Sequence, residues 1–336
     1  MPKLKLNEFS AREIQAFAQD IEKINKKNQQ KIDDGQREFP TQIKVAVMTR
    51  LGIPLVPQAL VWSVILQEKT DQERFKDLNW GLRTWDNWYF NDVDHRFGDD
   101  WPGRIPAQMI AHILYYFSNQ NDLVFDPTRP PRLRESNGGQ VAGGGVTADT
   151  CLAFNRKCWS FDMDDRPDTR PEIEPMFLDI TDLKWPIKGK TKPDLIIFDP
   201  PYFKKQSDNY DPDGISGMSK AKYLKFLKSF FALAHSNAKK GTQLAFINAD
   251  WRDFQNTPAK NETRVNSILI NDYLWILDQS GWQETHIFQA PLSSERFKAN
   301  VVSAMQKKKI IGVTSRYVII SKKKPNRNHS ATDSHR

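Results

Sequence analysis

The chain has 336 residues, 39% hydrophobic and 27% charged, with a formal net charge of +8; that length can bury a substantial core as one large domain or one and a half. No apolar run reaches the roughly 18 residues of a spanning helix, and residues 1–8 lack the apolar centre of a signal peptide, so a cytoplasmic protein with no membrane partner is expected. Cys151 and Cys158 have no histidine nearby to complete a zinc site, and burial as small apolar groups in a reducing compartment suits them.

Residues 1–40 are polar and lysine-rich, a helical arm that Ser10 can cap. Residues 41–100 carry apolar clusters and the tryptophans Trp62, Trp80, Trp85 and Trp88, which suggests a mostly helical N-terminal unit, bounded at 1–93, whose helices pack against the main domain. A helix-turn-helix over 41–69 is opposed by Pro54 and Pro57 at its turn. From about Trp101 helical and short apolar segments alternate, the pattern of a parallel sheet with crossover helices. Helices are expected at 107–117, 148–154 and 220–238, the last with Tyr223, Phe226, Phe230 and Leu233 at helical spacing. Strands are expected at 122–125, 157–161, 195–198, 244–247, 286–290 and 317–320. The main domain then covers 94–324, and the polar tail 325–336 is expected to be disordered.

Charge is unevenly spread. Between Arg296 and Lys324 stand nine basic residues and no acid, and between Lys204 and Lys240 eight lysines face three aspartates. Basic clusters of this kind suit a polyanionic partner; solvated lysine faces are the plainer alternative.

The most specific local pattern is residues 193–203. A short apolar strand stops on Asp199-Pro200-Pro201-Tyr202, which sets an acid, a rigid backbone carbonyl and an aromatic ring at a strand's C-terminal end, where open α/β sheets bind ligands. Two successive prolines remove two amide donors and fix the backbone. Upstream, Asp126-Pro127-Thr128 ends one strand and Ala142-Gly143-Gly144-Gly145 opens the following helix, where glycine lets a ligand approach the backbone. Asp162 ends the next strand, where a ribose could be held, and Asp179 follows, where an adenine amino group could be read.

This order of motifs resembles the exocyclic-amino DNA methyltransferases that use S-adenosylmethionine, over roughly residues 94–322. Residues 95–97 and 102–108, including Pro106 and Gln108, resemble the segment that in such enzymes holds the cofactor's methionine end. The resemblance implies a Rossmann-like class I methyltransferase sheet with helices on both faces, S-adenosyl-L-methionine as cofactor and DNA as partner. A restriction endonuclease or another defence-system protein is a further candidate partner. The sequence departs from the family in one place: residues 129–141 separate the Asp126 element from the glycines. Loop closure costs little extra with length, which accommodates an insertion; lying across the cofactor site, the same segment would leave a nucleic-acid-binding protein without cofactor.

The implied chemistry needs no metal. An adenine N6 amine is a poor nucleophile because its lone pair is delocalised into the ring. The Asp199 carboxylate and the Pro200 carbonyl can accept its two hydrogens, pushing the nitrogen toward tetrahedral geometry, which is catalysis by positioning and electrostatics. Tyr202, with Phe203, would stack on a base flipped from the duplex, while Lys204 and Lys205 would meet flanking phosphates. Lys307, Lys308 and Lys309 are expected on a basic hairpin that clamps DNA, and Asn248 to Trp251 would border the pocket. Methylation of cytosine N4 or of an RNA base remains open from these residues.

Overall fold

Short apolar runs such as 123–125 and 195–198 can be buried on both faces only inside a sheet covered by helices. The computed structural model describes residues 66, 68–90, 93–94, 96–98, 105–127, 145–162, 176–177, 183, 185, 191–204, 215–252, 266–291, 299–309 and 311–324. The expectations for the N-terminal arm, the helix-turn-helix, the inserted segment 129–141 and the tail lie outside these residues. In chain order the elements are α1 (Asp71–Asp77), α2 (Ala107–Phe117), β1 (Leu123–Asp126), α3 (Val146–Ala153), β2 (Lys157–Asp162), β3 (Met176–Phe177) and β4 (Leu195–Phe198). These lead to α4 (Lys220–Asn237), β5 (Gln243–Asn248), β6 (Trp251–Arg252), β7 (Asn266–Ser267), α5 (Ile270–Gln279), β8 (Trp282–Gln289), α6 (Ala299–Lys307) and β9 (Tyr317–Lys323).

Seven strands form one sheet in the order β3-β2-β1-β4-β5-β9-β8. Strands β1 to β5 run parallel, while β9 lies antiparallel to both β5 and β8. This is a Rossmann-like, doubly wound sheet with helices on both faces, as the resemblance implies. Alternation along the strands divides the core in two. Val124, Leu195, Ile197, Ala245, Ile247, Val318 and Ile320 meet the layer of α2 and α3. Phe125, Ile196, Phe198, Leu244, Phe246 and Ile319 face the α4 and α5 layer, where Phe230, Phe231, Tyr273 and Trp282 fill the interior.

The described part of the N-terminal unit packs into the first of these layers through Leu66, Phe75, Leu78, Trp80 and Trp88. Thr70 and Glu73 form a reciprocal capping box on α1. Asp71, the first residue of α1, accepts both guanidinium nitrogens of Arg156 at 2.8 Å and one of Arg74 at 2.8 Å. Both arginines are buried, so this carboxylate ties α1 to the turn before β2. The indole of Trp88 stacks on Phe288 at 3.9 Å, and backbone bonds Trp88 N to Gln289 O (2.7 Å) and Gln289 N to Asp86 O (2.8 Å) cover one end of β8.

Helix α2 has the expected bounds. Strand β8 begins four residues before its expected start, because its edge position exposes Gln283 to His286 and erases the apolar alternation. Helix α5 lies outside the expected elements. The basic hairpin at 307–309 is corrected: those lysines end and follow the exposed helix α6, and only the flanking β8 and β9 pair.

Candidate functional site

The sheet order reverses between β1 and β4, since the chain leaves β1 outward to β2 and β3 and returns to β4 beside β1. Strand ends at such a reversal leave a crevice at the carboxyl edge. Asp126 and Pro127 stand on one side of it and Asp199 on the other, because Phe125 pairs with Ile196 in register.

One carboxylate oxygen of Asp199, Oδ1, is enclosed, although the residue keeps a part-exposed edge. Burial pushes its pKa up to about 7; the Arg316 charge and a hydrogen bond with Tyr202 oppose the rise, and the Asp126 charge adds to it. Arg316 is only 5% exposed. Its backbone pairs with Ala290 in both directions, at 2.8 and 3.4 Å, just before Tyr317 opens β9 opposite Asn248. The antiparallel β9 thus begins at the edge where β1, β4 and β5 end, and delivers a buried cation there. Within the sequence Arg316 is one basic residue among nine; its burial distinguishes it from the other six that lie among the described residues, and no local signal carries that.

Behind the loop lies a hydroxyl staple. The Tyr223 hydroxyl donates to the Pro201 carbonyl at 3.2 Å and accepts from Asn248 Nδ2 at 2.8 Å, while the Phe203 amide faces the same oxygen. Asn248 Oδ1 accepts from Tyr273 at 2.9 Å. Burial pushes the Tyr223 and Tyr273 hydroxyls well above the usual phenol range, so both remain neutral donors. Asp250 Oδ1 accepts the Leu269 and Ile270 amides at the start of α5 (2.6 and 3.1 Å), and its Oδ2 accepts from Tyr317 at 2.9 Å. Asn248 and Asp250 therefore set the loop and helix behind the crevice, and Trp251 packs on Phe203. The helical spacing marks Tyr223 only as an apolar position; its polar end is what holds the motif.

On the side where the cofactor is expected, Asp126 is 2% exposed at the end of β1, with Pro127 buried beyond it. Gly145 precedes α3 with φ of 77°, a left-handed conformation that disfavours any side chain. Helix α2 runs back from the crevice edge to the start of β1, which puts Pro106 at its head and Gln108 within its first turn. Gln108 Oε1 is buried and has no hydrogen bond among the described residues, an acceptor that a ligand amine would satisfy. Asp162 ends β2 two residues beyond Ser160, the partner of Asp126. Thr128, Ala142, Gly143, Gly144 and Asp179 lie outside the described residues, as does Lys205. Among the described residues no group of three or more His, Cys, Asp or Glu side chains gathers to hold a metal ion, and no helix is long and apolar enough to cross a membrane.

Phe203 is corrected from a nucleic-acid contact to a core residue: it is 5% exposed and packs against Tyr223 and Trp251. The two neighbouring aromatics point differently, and Tyr202 is the part-exposed one. Lys204 takes a positive φ of 55°; its amide donates to Ser216 O at 3.0 Å and its ammonium to Gly217 O at 2.7 Å, which staples the motif loop to residues 215–217. Lys307, Lys308 and Lys309 are exposed.

No family model matches the chain, and no curated protein sequence does. Several solved structures resemble it in part. TrmN from Thermus thermophilus is 12% identical, with a TM-score of 0.36, over 66% of this chain and 50% of its own, so this chain spans half the length of that protein. A TehB-like SAM-dependent methyltransferase from Corynebacterium glutamicum is 12% identical, with a TM-score of 0.35, over 64% of this chain and 87% of its own. A candidate DNA modification methylase, also from Thermus thermophilus, is 15% identical, with a TM-score of 0.26, over 41% of this chain and 49% of its own.

Proposed function

We propose that this chain transfers a methyl group from S-adenosyl-L-methionine to the N6 amino group of a flipped-out adenine in DNA. The observation that carries the reading is the position of Asp199-Pro200-Pro201-Tyr202 at the sheet's reversal, with Asp199 Oδ1 enclosed and a buried cation nearby. The residues on the cofactor side suit the group. Asp126 and Asp162 suit hydroxyls and amines, Gly145 allows close approach of the backbone, and Gln108 Oε1 is an acceptor in need of a donor. S-adenosylmethionine, when bound, supplies an electrophilic methyl group.

Asp199 and the Pro200 carbonyl accept the two amine hydrogens and turn the nitrogen lone pair out of conjugation. This requires the ionised carboxylate, so Arg316 supports the step by opposing the upward push of burial. Tyr223, held by Asn248, fixes the carbonyl-bearing loop so that its acceptors need not reorganise during the reaction. Tyr202, whose hydroxyl engages Asp199, is placed to exchange that bond for contact with an incoming base.

Incubation with methyl-labelled S-adenosylmethionine and, separately, unmethylated duplex DNA and RNA, followed by mass spectrometry of the nucleosides, tests the reading. N6-methyladenine in DNA is the expected product. Label on cytosine N4 or in RNA replaces the substrate assignment, and no label in either polymer overturns the reading.

A further inference from the structure

Helix α4 starts at the catalytic loop and leads away from it. Ser219 caps it, and the hydroxyl of Tyr223 in its first turn holds the Pro201 carbonyl at 3.2 Å. Residues 220–237 contain four lysines and no acid. The buried side is Tyr223, Phe226, Leu227, Phe230, Phe231 and Ala234. Lys222, Lys225 and Lys228 lie opposite, all exposed, at a three-residue interval that climbs about 4.5 Å per step along one flank of a helix. At the end of this row the Lys228 ammonium sits 4.9 Å from the ring centroid of Trp275 on α5. Trp275 is 57% exposed, and Ile268, at the entrance to α5, is 60% exposed.

An indole left this open beside a row of cations on a helix without acids, with the α5 carboxylates Asp272 and Asp278 engaged by Lys220 and Lys324, is poorly suited to a solvated helix face. It combines the two features that sequence-tolerant binding of unpaired nucleic acid uses: ammonium groups spaced along a backbone track and a flat aromatic surface on which a base stacks. A duplex offers no unstacked base to such a ring. Resting on the methyl-transfer reading above, we infer that the outer face of α4 and α5 binds an unpaired segment of the nucleic-acid substrate that flanks the duplex holding the flipped base. Lys222, Lys225 and Lys228 meet its phosphates and Trp275 stacks on one base.

The test uses fluorescence anisotropy of the full chain with a labelled single strand of about 20 nucleotides, long enough to occupy the site and its flanks, over a series of salt concentrations, beside the labelled-methyl assay. Trp275→Ala should weaken single-strand binding by about ten-fold. Replacing Lys222, Lys225 and Lys228 together by glutamine should lower the slope of log affinity against log salt by about 2, since each lost phosphate contact on a single strand contributes about 0.7. Both variants should keep the wild-type melting temperature and S-adenosylmethionine affinity, because the changed side chains are exposed. Wild-type affinity and slope in both variants, with the parent chain binding and methylating nucleic acid, overturn this surface and leave the function standing. A parent chain that neither binds the strand nor methylates any nucleic acid overturns both.

Discussion

Replacing Arg316 by methionine keeps much of the side-chain volume and removes the cation that opposes the rise in Asp199's pKa. A guanidinium acting on a carboxylate over roughly 6 to 8 Å at an effective dielectric near 20 is worth about 2 to 3 kcal/mol, or about 1.5 to 2 pKa units. Asp199, already pushed up to about 7 by burial, would then titrate higher still. In the proposed reaction the ionised carboxylate is the active form, so the acid limb of kcat/KM, which reports the free enzyme, should move by the same amount toward alkaline pH. At pH 7 the variant should be at least about ten-fold slower than the parent, with most of the loss recovered at pH 9. Arg316→Lys should keep the limb near its original position. The assay is labelled-methyl transfer to DNA at subsaturating substrate between pH 5.5 and 9.5. An Arg316→Met profile that falls by one factor at every pH, with its limb unmoved, would refute the electrostatic role and leave Arg316 as a packing residue.

Four further residues give outcomes from the same contacts. Asp199→Ala should abolish transfer with cofactor affinity nearly unchanged by calorimetry. Because folding raises this carboxyl's pKa from 3.8 to about 7, its charge opposes folding increasingly as pH rises through that window; Asp199→Asn should therefore stabilise the protein at pH 8 by about 2 to 4 kcal/mol, the lower figure reflecting the part-exposed edge, and an unchanged denaturation midpoint contradicts this. Tyr223→Phe leaves the Pro201 carbonyl and Asn248 Nδ2 without their partner, so a stability loss of about 1 to 3 kcal/mol should accompany a fall in kcat with unchanged cofactor affinity. Asp71→Asn removes the one carboxylate between two buried guanidiniums and should cost about 3 to 5 kcal/mol by chemical denaturation; a loss no larger than for an exposed aspartate argues against the cluster's role. His112 accepts the Arg83 amide at Nε2 (2.9 Å), so Nδ1 carries the proton toward Gln108 O, and burial holds its pKa down to about 4 from 6.5. Its contribution is complete above pH 6.5 and is lost as pH falls to 4, about 3 kcal/mol in all, a loss that His112→Gln should lessen in acid melts.

Several features were legible before any coordinates because their physics is local. The run 195–198 is too short for a helix and apolar throughout, and two prolines forbid its continuation, so both the strand and its abrupt end follow from covalent geometry. Residues 107–117 carry an uninterrupted helical period, and α2 has those bounds. The order of Asp126, Asp162 and Asp199, each ending or following a strand, follows from the same alternation. The first half of the edge strand β8, residues 282–285, escaped because exposure removes the pattern by which strands are read, and 299–307 is helical where charge alone suggested a hairpin.

What only the tertiary structure decided is which side chains meet. Tyr202 and Phe203 are adjacent aromatics, and nothing in their chemistry says that one remains at the crevice while the other enters the core; Tyr223, Asn248 and Trp251, distant in sequence, decide it. Arg316 stands among nine basic residues and is buried at the crevice because β9 runs antiparallel and starts at the edge where β4 stops. The motif's residues are a property of the chain, whereas the charge and hydrogen bonds around Asp199 come from strands β5 and β9. Long-range pairing, which depends on the whole sheet closing, brings those together, and no spacing within the sequence records it.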